Sequence, residues 1–385
     1  MTGVQTCALP ILIESFPIHG GQLRHLAERF AIPVSQLLDF SANINPEGPP
    51  ETVLATLHAS LDDLSVLTNY PDLQQTELRQ SIARHAGVLP QNIAVANGFV
   101  PLLEAALRSL PIRRCLLPVP AFVEYRRALT RSQVEIIPHA LMAESDFHYD
   151  AEAMVTGQQD ALLFANPQNP SGVVCCREAL LRLVARAAER DVCVLLDEAF
   201  IDYLPEHSLV PDIDRFPNLI IFRSLTKFYG VPGLRLAYAV ANPDIASSLH
   251  ENLPPWPITT LASRAVIAAL EDEPYANRTR LLNLQRRGHL QTQIEALGIH
   301  TYPSAANFLL LRLPSFVDPV DFWERMIVEH HIVLRSCLNY EALSGEHLRV
   351  AVRNDQENAH LVQAVWQVLA KLRDISLSKT GSYRA

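Results

Sequence analysis

Leu219-Ile-Ile-Phe-Arg-Ser-Leu-Thr-Lys-Phe-Tyr-Gly-Val-Pro-Gly-Leu-Arg-Leu-Ala-Tyr-Ala-Val-Ala241 sets two apolar runs, Leu219–Phe222 and Leu234–Ala241, around a polar turn. Runs of this length bounded by turn residues read as buried strands. Lys227 stands between them. The chain carries 32 basic residues, of which three are lysines, and the other two, Lys371 and Lys379, lie near the C-terminal end. Arginine supplies a permanent charge and a planar fork but does not readily deprotonate. A lysine amine can lose its proton and attack a carbonyl. A chain that uses arginine almost everywhere and keeps a lysine at a strand end reads as needing an amine there. Drift toward arginine, with one surface lysine surviving, is the competing explanation that the neighbouring residues have to displace.

Upstream, Ile93–Ala96, Cys115–Val119, Ala161–Ala165 and Val192–Leu196 read as strands of the same kind, and Ala179–Arg190 as an amphipathic helix between two of them. Such alternation predicts an α/β fold with a mainly parallel sheet covered by helices on both faces. Ligands of such sheets bind beyond the carboxyl ends of the strands. Polar residues gather at those ends: Asn97-Gly98, Asn166 to Gly172, Asp197-Glu198 and Ser224 to Lys227. After Pro254-Pro-Trp-Pro257 a helical region runs to about residue 296. Asn307–Leu313, a helix at Pro319–His331, strands at Ile332–Arg335 and Leu348–Val352 and a helix at Gln356–Arg373 then form a smaller α+β piece. The early helix Gly21–Phe30 belongs with it. The expected organisation is a leader foreign to the fold at 1–14, an N-terminal segment at 15–46 packing with the small domain, a large domain at 47–290, the small domain at 291–373 and a polar tail at 374–385.

The bulk numbers exclude several classes. A length of 385 residues supports a large core and two domains. Hydrophobic content of 49% and charged content of 19% describe a folded protein. A net charge of −9 argues against a general nucleic-acid or anionic-membrane surface, though not against a small anionic substrate met by a local arginine cluster. There is no apolar stretch of transmembrane length. The six cysteines, Cys7, Cys115, Cys175, Cys176, Cys193 and Cys337, form no C-x-x-C pair and read as buried free thiols in a reducing cytoplasm, with no metal site.

Asp197 ends a buried strand, where a carboxylate needs a partner or a function. An amine and a carboxylate at the mouth of one sheet fit pyridoxal 5'-phosphate (PLP), with Lys227 forming the imine and Asp197 keeping the pyridine nitrogen protonated. Ser224, Thr226 and Arg235 flank Lys227 at −3, −1 and +8 and are candidate phosphate donors. Gly98, before a helical stretch at Pro101–Leu110, adds backbone N–H groups at a helix N-terminus. The proline-fixed turn Asn166-Pro-Gln-Asn-Pro-Ser-Gly172 presents Asn169 toward a ring oxygen.

On these residues the chain resembles the fold-type I PLP-dependent enzymes of the class I/II aminotransferase group, from about His19 to the C-terminal helix. Within that group it is most similar to the L-threonine-O-3-phosphate decarboxylases of cobalamin biosynthesis, with the histidinol-phosphate aminotransferases next. The matching segments are His19-Gly-Gly, Phe40-Ser-Ala-Asn-Ile-Asn-Pro46, Asn166–Gly172, Asp197-Glu-Ala-Phe-Ile-Asp-Tyr203, Arg223–Arg235, Arg335-Ser-Cys and Leu348-Arg-Val-Ala-Val-Arg353. The resemblance implies that Lys227 is the Schiff-base lysine, that Asp197 pairs with the ring nitrogen and that Asn169 bonds the ring oxygen. It implies that Phe122 stacks on the ring and that Tyr70 reaches the cofactor phosphate of a neighbouring subunit, hence a homodimer with shared active sites. His19, Gly20, Asn43, Asn169, Arg335 and Arg349 match substrate-contacting positions for a small phosphorylated amino acid.

Three alternatives remain. Aminotransferases of this group usually carry tyrosine three residues after the aspartate; Phe200 stands there, which resembles the decarboxylases. The histidinol-phosphate aminotransferase reading predicts amino transfer to 2-oxoglutarate in place of CO₂ release. A non-catalytic PLP-binding module would need an additional functional region. A dinucleotide-binding dehydrogenase is disfavoured because no G-x-G-x-x-G follows the first strand. One departure from the family bears on the cofactor: its phosphate loop usually places Ser or Thr and then an acidic residue after Asn-Gly, and this chain reads Asn97-Gly-Phe-Val-Pro-Leu102. Backbone donors at Gly98 and Phe99 remain, a hydroxyl is missing, and a lower cofactor affinity is the expectation.

Overall fold

A computed structural model describes residues 16–343 and 345–381. The expected leader at 1–14 lies outside the described residues, as does Cys7. The chain divides into two compact units, one built from Ile44–Asn283 and the other from the residues up to Asn43 together with those from Leu284 onward.

The first unit holds a seven-stranded sheet. Its strands are β1 (Ile93–Ala96), β2 (Arg114–Val119), β3 (Glu135–Ala140), β4 (Ala161–Ala165), β5 (Cys193–Asp197), β6 (Leu219–Ser224) and β7 (Ala237–Val240). The spatial order is β1-β7-β6-β5-β4-β2-β3. The run from β6 to β3 is parallel, and β7 is antiparallel to both β6 and β1. The helices of this unit include α1 (Glu51–Leu61), α2 (Thr76–Ala86), α3 (Phe99–Ser109), α4 (Val123–Arg131), α5 (Arg177–Ala188), α6 (Pro243–Glu251) and α7 (Thr260–Leu270).

Alternation along each strand explains why the runs are apolar throughout. Leu116, Leu162, Phe164, Val194, Leu196, Leu219 and Ile221 point into one core with Val184 of α5 and Val266 of α7. Leu117, Leu163, Leu195, Ile220 and Phe222 point into a second core with Leu103 of α3 and Leu129 of α4. Both faces are dry along the middle of the sheet, so both register positions there are apolar, and polar side chains enter only toward the strand ends. The strand β3 was not legible because it is an edge: Glu135, Ile136, Ile137, Pro138, His139 and Ala140 are exposed or half-buried. Charge and proline there are what edge strands carry.

The second unit has a four-stranded antiparallel sheet ordered Arg335–Ser336, His347–Ala351, Phe308–Arg312 and His300–Thr301. The helices Leu23–Phe30, Pro319–His330 and Asp355–Gly381 belong to it, and Trp323, Phe40, Leu26 and Val365 share its core. The stretch expected as one strand at Ile332–Arg335 is split. Ile332–Val333 pairs in parallel with Leu38–Asp39, while Arg335–Ser336 pairs with the strand at His347–Ala351. The break falls at Leu334, whose carbonyl accepts the indole N–H of Trp323 at 2.8 Å and so leaves the ladder. The last helix continues past Arg373, where a polar tail was expected, to Gly381. A polar run without proline has no reason to unwind, so the helix carries on through it.

Among the described residues no helix is long and apolar enough to cross a membrane. Cys115 and Cys337 are buried free thiols, Cys175 and Cys193 are half-buried, and Cys176 is exposed, which corrects the expectation of uniform burial. Leu195 is 0% exposed at the centre of the sheet. Replacing it with alanine should cost about 3 kcal/mol, seen as a lower urea midpoint at unchanged slope.

Candidate active site

Five strand ends of the first unit open on one edge of the sheet. β1 leads to Asn97-Gly98, β2 to Pro120-Ala-Phe122, β4 to Asn166, β5 to Asp197 and β6 to Ser224 and Lys227. The register sets Asp197 level with Ala165 on one side and Phe222 on the other. The sheet therefore places the carboxylate between the Asn169 loop and the lysine turn.

Asp197 is 6% exposed. Its Oδ2 accepts the Tyr125 hydroxyl at 2.5 Å and its Oδ1 accepts the Ala199 N–H at 2.9 Å. Burial raises its proton affinity, against the pull of Tyr125, Lys227 and the Ala199 amide. Tyr125 was missed by sequence reasoning. The available signal was its place three residues after Phe122, one turn into α4 at the same sheet edge.

The Lys227 Nζ donates to Ser224 Oγ at 3.0 Å, and Ser224 and Thr226 hydroxyls lie 2.9 Å apart. Phe200 sits beside the amine, with Nζ 5.7 Å from its ring centroid. The turn is held from below. The Lys227 carbonyl accepts Asn45 N–H at 3.0 Å, and Asn45 Nδ2 donates to the Phe228 carbonyl at 2.9 Å and to the Tyr275 hydroxyl at 2.7 Å. Gly230 has φ +62°, and a Cβ there would meet the Gly48 backbone at 2.6 Å.

Gly98 caps α3 with φ +96°, and a Cβ there would come 3.1 Å from Arg235 Nη2. A guanidinium thus stands at the positive end of a helix whose first N–H groups lack helical partners. That pairing of like charges is favourable once an anion sits between them. The Phe99 ring packs on Tyr125 and Phe222 at 5.5 and 5.3 Å, so its side chain faces the core while its N–H stays at the helix start. The loop after β4 is braced by Gln168, which donates to the Pro120 carbonyl at 3.0 Å and accepts from Ser171. Asn169 is half-buried on that loop. Phe122 is the N-cap residue of α4 and meets Tyr125 edge-on at 5.6 Å. Tyr70 is 80% exposed and stacks on Trp256 at 4.6 Å. An amine, a buried carboxylate, two hydroxyls, a guanidinium and a helix start at one sheet edge fit PLP.

The expected substrate residues of the second unit form a cluster of their own. Arg335 and Arg349 are direct partners across adjacent antiparallel strands, 3% and 6% exposed. Like charges opposed in this way repel, and an anion between them relieves it. Arg349 donates to the Ser41 carbonyl at 3.2 Å, and burial lowers its proton affinity. Arg335 donates to the carbonyls of Pro17 and Ile18 at 3.1 and 2.7 Å and to Asn339 at 2.8 Å. It thereby ties down the segment that carries His19 and Gly20. Gly20 has to be glycine, since a Cβ would lie 2.1 Å from the Ser41 carbonyl oxygen. Asn43 Oδ1 is buried with no hydrogen-bond partner among the described residues, as a group reserved for a ligand would be.

The family model described as aminotransferase class I and II matches residues 35–365. A threonine-phosphate decarboxylase of Salmonella typhimurium is 35% identical, covering 91% of this chain and 96% of that protein. Among solved structures, histidinol-phosphate aminotransferase from Clostridium acetobutylicum superposes with a TM-score of 0.81 at 28% identity, over 86% of this chain and 99% of that one. L-threonine-O-3-phosphate decarboxylase from Porphyromonas gingivalis gives a TM-score of 0.77 at 25% identity, with the same coverage of 86% and 99%.

Gly98→Ala should weaken PLP binding by about tenfold, roughly 1.4 kcal/mol, because its backbone conformation disfavours a side chain and its Cβ crowds Arg235. Fluorescence titration of the cofactor-free protein with PLP checks this. Gly20→Ala should leave that affinity unchanged and raise KM.

Proposed function

The chain belongs to the aminotransferase class I and II family, and within it we propose that it decarboxylates L-threonine O-3-phosphate to (R)-1-amino-2-propanol O-2-phosphate, the precursor of the cobalamin side arm. The 35% identity to a threonine-phosphate decarboxylase across nearly both chains supports this reading. The observation that carries the choice of reaction is Phe200, an apolar ring beside the Lys227 amine where aminotransferases of the group carry a hydroxyl.

Bound PLP supplies an electron sink for the pair left when the bond between Cα and the carboxylate breaks. Each residue then has a defined task. Asp197, held by Tyr125 and the Ala199 amide, keeps a proton on the pyridine nitrogen. Asn169 donates to the ring oxygen without help from a tyrosine at position 200. Ser224, Thr226, Arg235 and the N–H groups at Gly98 and Phe99 hold the cofactor phosphate, and Phe122 packs on the ring. Lys227 would hold the cofactor covalently at rest and, with its amine free, would be the group that returns a proton to Cα. Arg349 takes the substrate carboxylate. His19, Gly20 and Asn43, with Arg335 behind them, take the substrate phosphate. Anchoring both anions would fix how the Cα–carboxylate bond is oriented toward the cofactor, and orientation of that kind selects which bond breaks.

Tyr70 on the exposed stack with Trp256 fits a role toward the cofactor phosphate of a second subunit, so the active form is a homodimer with shared sites. The same reading places the enzyme in the cytoplasm.

With PLP and threonine phosphate, CO₂ should be released without any 2-oxoacid. Transamination of histidinol phosphate with 2-oxoglutarate, and no CO₂, is the result that sinks the proposal. Lys227→Ala should lower kcat by several orders of magnitude, on the order of 10⁴ or more, and abolish the absorbance of the lysine-bound cofactor.

A further inference from the structure

Behind the strand ends lies a buried ion cluster to which the reaction assigns no task. Glu198 follows Asp197 and Arg223 precedes Ser224, so strand alternation turns both side chains to the face opposite Asp197 and Ser224. Arg223 is 6% exposed, Glu198 0% and Asp202 4%. Arg223 Nε donates to Glu198 at 3.0 Å, Nη1 to Asp202 at 3.1 Å and Nη2 to Ser208 Oγ at 2.7 Å. Glu198 also accepts Ser208 Oγ at 2.8 Å and Leu209 N–H at 2.9 Å.

We propose that Arg223 is a positioning residue for the reaction: by neutralising Glu198 it lets Asp197, the next residue along the chain, keep its negative charge in a dry site. The inference rests on the reading of Asp197 as the partner of the pyridine nitrogen. Three carboxylates lie within six residues at this strand end, Asp197, Glu198 and Asp202, and all are buried. Arg223 is the cation that bonds two of them. Around Asp197 stand Tyr125, Tyr149 and Lys227, and the Glu198 charge on the opposite face favours its protonation. Around Arg223 stand Tyr238, Glu198 and Asp202, with Tyr229 beside them. His85 is near Asp202, and Arg280 donates to the Asp202 carbonyl at 2.9 Å. Without Arg223, buried negative charge is left uncompensated, and protonation is the way such a cluster relieves it. A protonated Asp197 no longer stabilises the pyridinium proton. Arg223 touches neither the amine nor the carboxylate it serves.

The test uses holoenzyme and reads the pH midpoint of the cofactor's absorbance change, the PLP dissociation constant and the melting temperature. Arg223→Met should move the midpoint upward by about one pH unit, since loss of positive charge on the ring nitrogen makes the nitrogen shared with Lys227 hold its proton more tightly. The double variant Arg223→Met/Glu198→Gln should return the midpoint to near the wild-type value while the melting temperature stays low. Arg223→Lys, which keeps charge but not the fork, should stay near the wild-type midpoint. Glu198→Gln alone should move it down, so the proposal stays testable if Arg223→Met fails to fold. A lower melting temperature with an unmoved midpoint in Arg223→Met, or no return in the double variant, makes Arg223 a structural tie and overturns the inference. An unmoved midpoint in Glu198→Gln does the same. Asp197→Asn is the control: if it leaves the midpoint unmoved, the underlying assignment of Asp197 fails instead.

Discussion

The carboxylate of Asp197 is the constraint around which the first unit is organised. Taking a charge out of water costs several kcal/mol unless partners replace the solvent. The fold supplies those partners from separate elements: a hydroxyl from α4, an amide from the turn after β5 and an ammonium from the turn after β6. None of them can arrive unless parallel strands end together. The dry faces of the sheet hold the ends level, and the low dielectric they create makes each partner matter. A solvated aspartate would need no such surroundings and would have little influence on a bound ring.

The second unit faces a different problem, that of burying two cations side by side. Two buried arginines face each other across a pair of strands, and one of them is spent on backbone carbonyls of an N-terminal segment. Backbone oxygens neutralise a guanidinium only partly. Two such cations side by side make a positive field, and under the proposed function that field meets the anionic groups of the substrate. Gly20 lets the segment pass against Ser41 at backbone distance, so the local geometry depends on a missing side chain.

Much of this was legible in the amino-acid sequence, for identifiable reasons. The central strands are apolar throughout because both sheet faces are covered, and their polar ends mark the mouth of the sheet. Lys227 stood out against a background of arginine, and Asp197 stood out as a charge at the end of Val192–Leu196. What could not be read depended on contacts between distant residues. Tyr125 became visible only once α4 was folded over Asp197. The pairing of Arg223 with Glu198 is a cross-strand matter. The break at Leu334 depends on an indole eleven residues away. Edge strand β3 lacked a signal because its physical role is to be unlike a core strand.

The crossing of Gly48 under Gly230 bears on the order in which the enzyme comes into being. Asn45 is 183 positions from the Phe228 carbonyl it bonds and 230 from the Tyr275 hydroxyl. Residues 45–48 leave the ribosome early, long before the lysine turn and the Tyr275 helix to which Asn45 bonds. Closing a loop of that length costs entropy before any contact repays it. The sheet can form around its apolar strands while the amine is still unplaced. The anchoring of the lysine turn is therefore a long-range contact, and a chain halted before residue 275 would lack the Tyr275 hydroxyl that holds Asn45 against that turn.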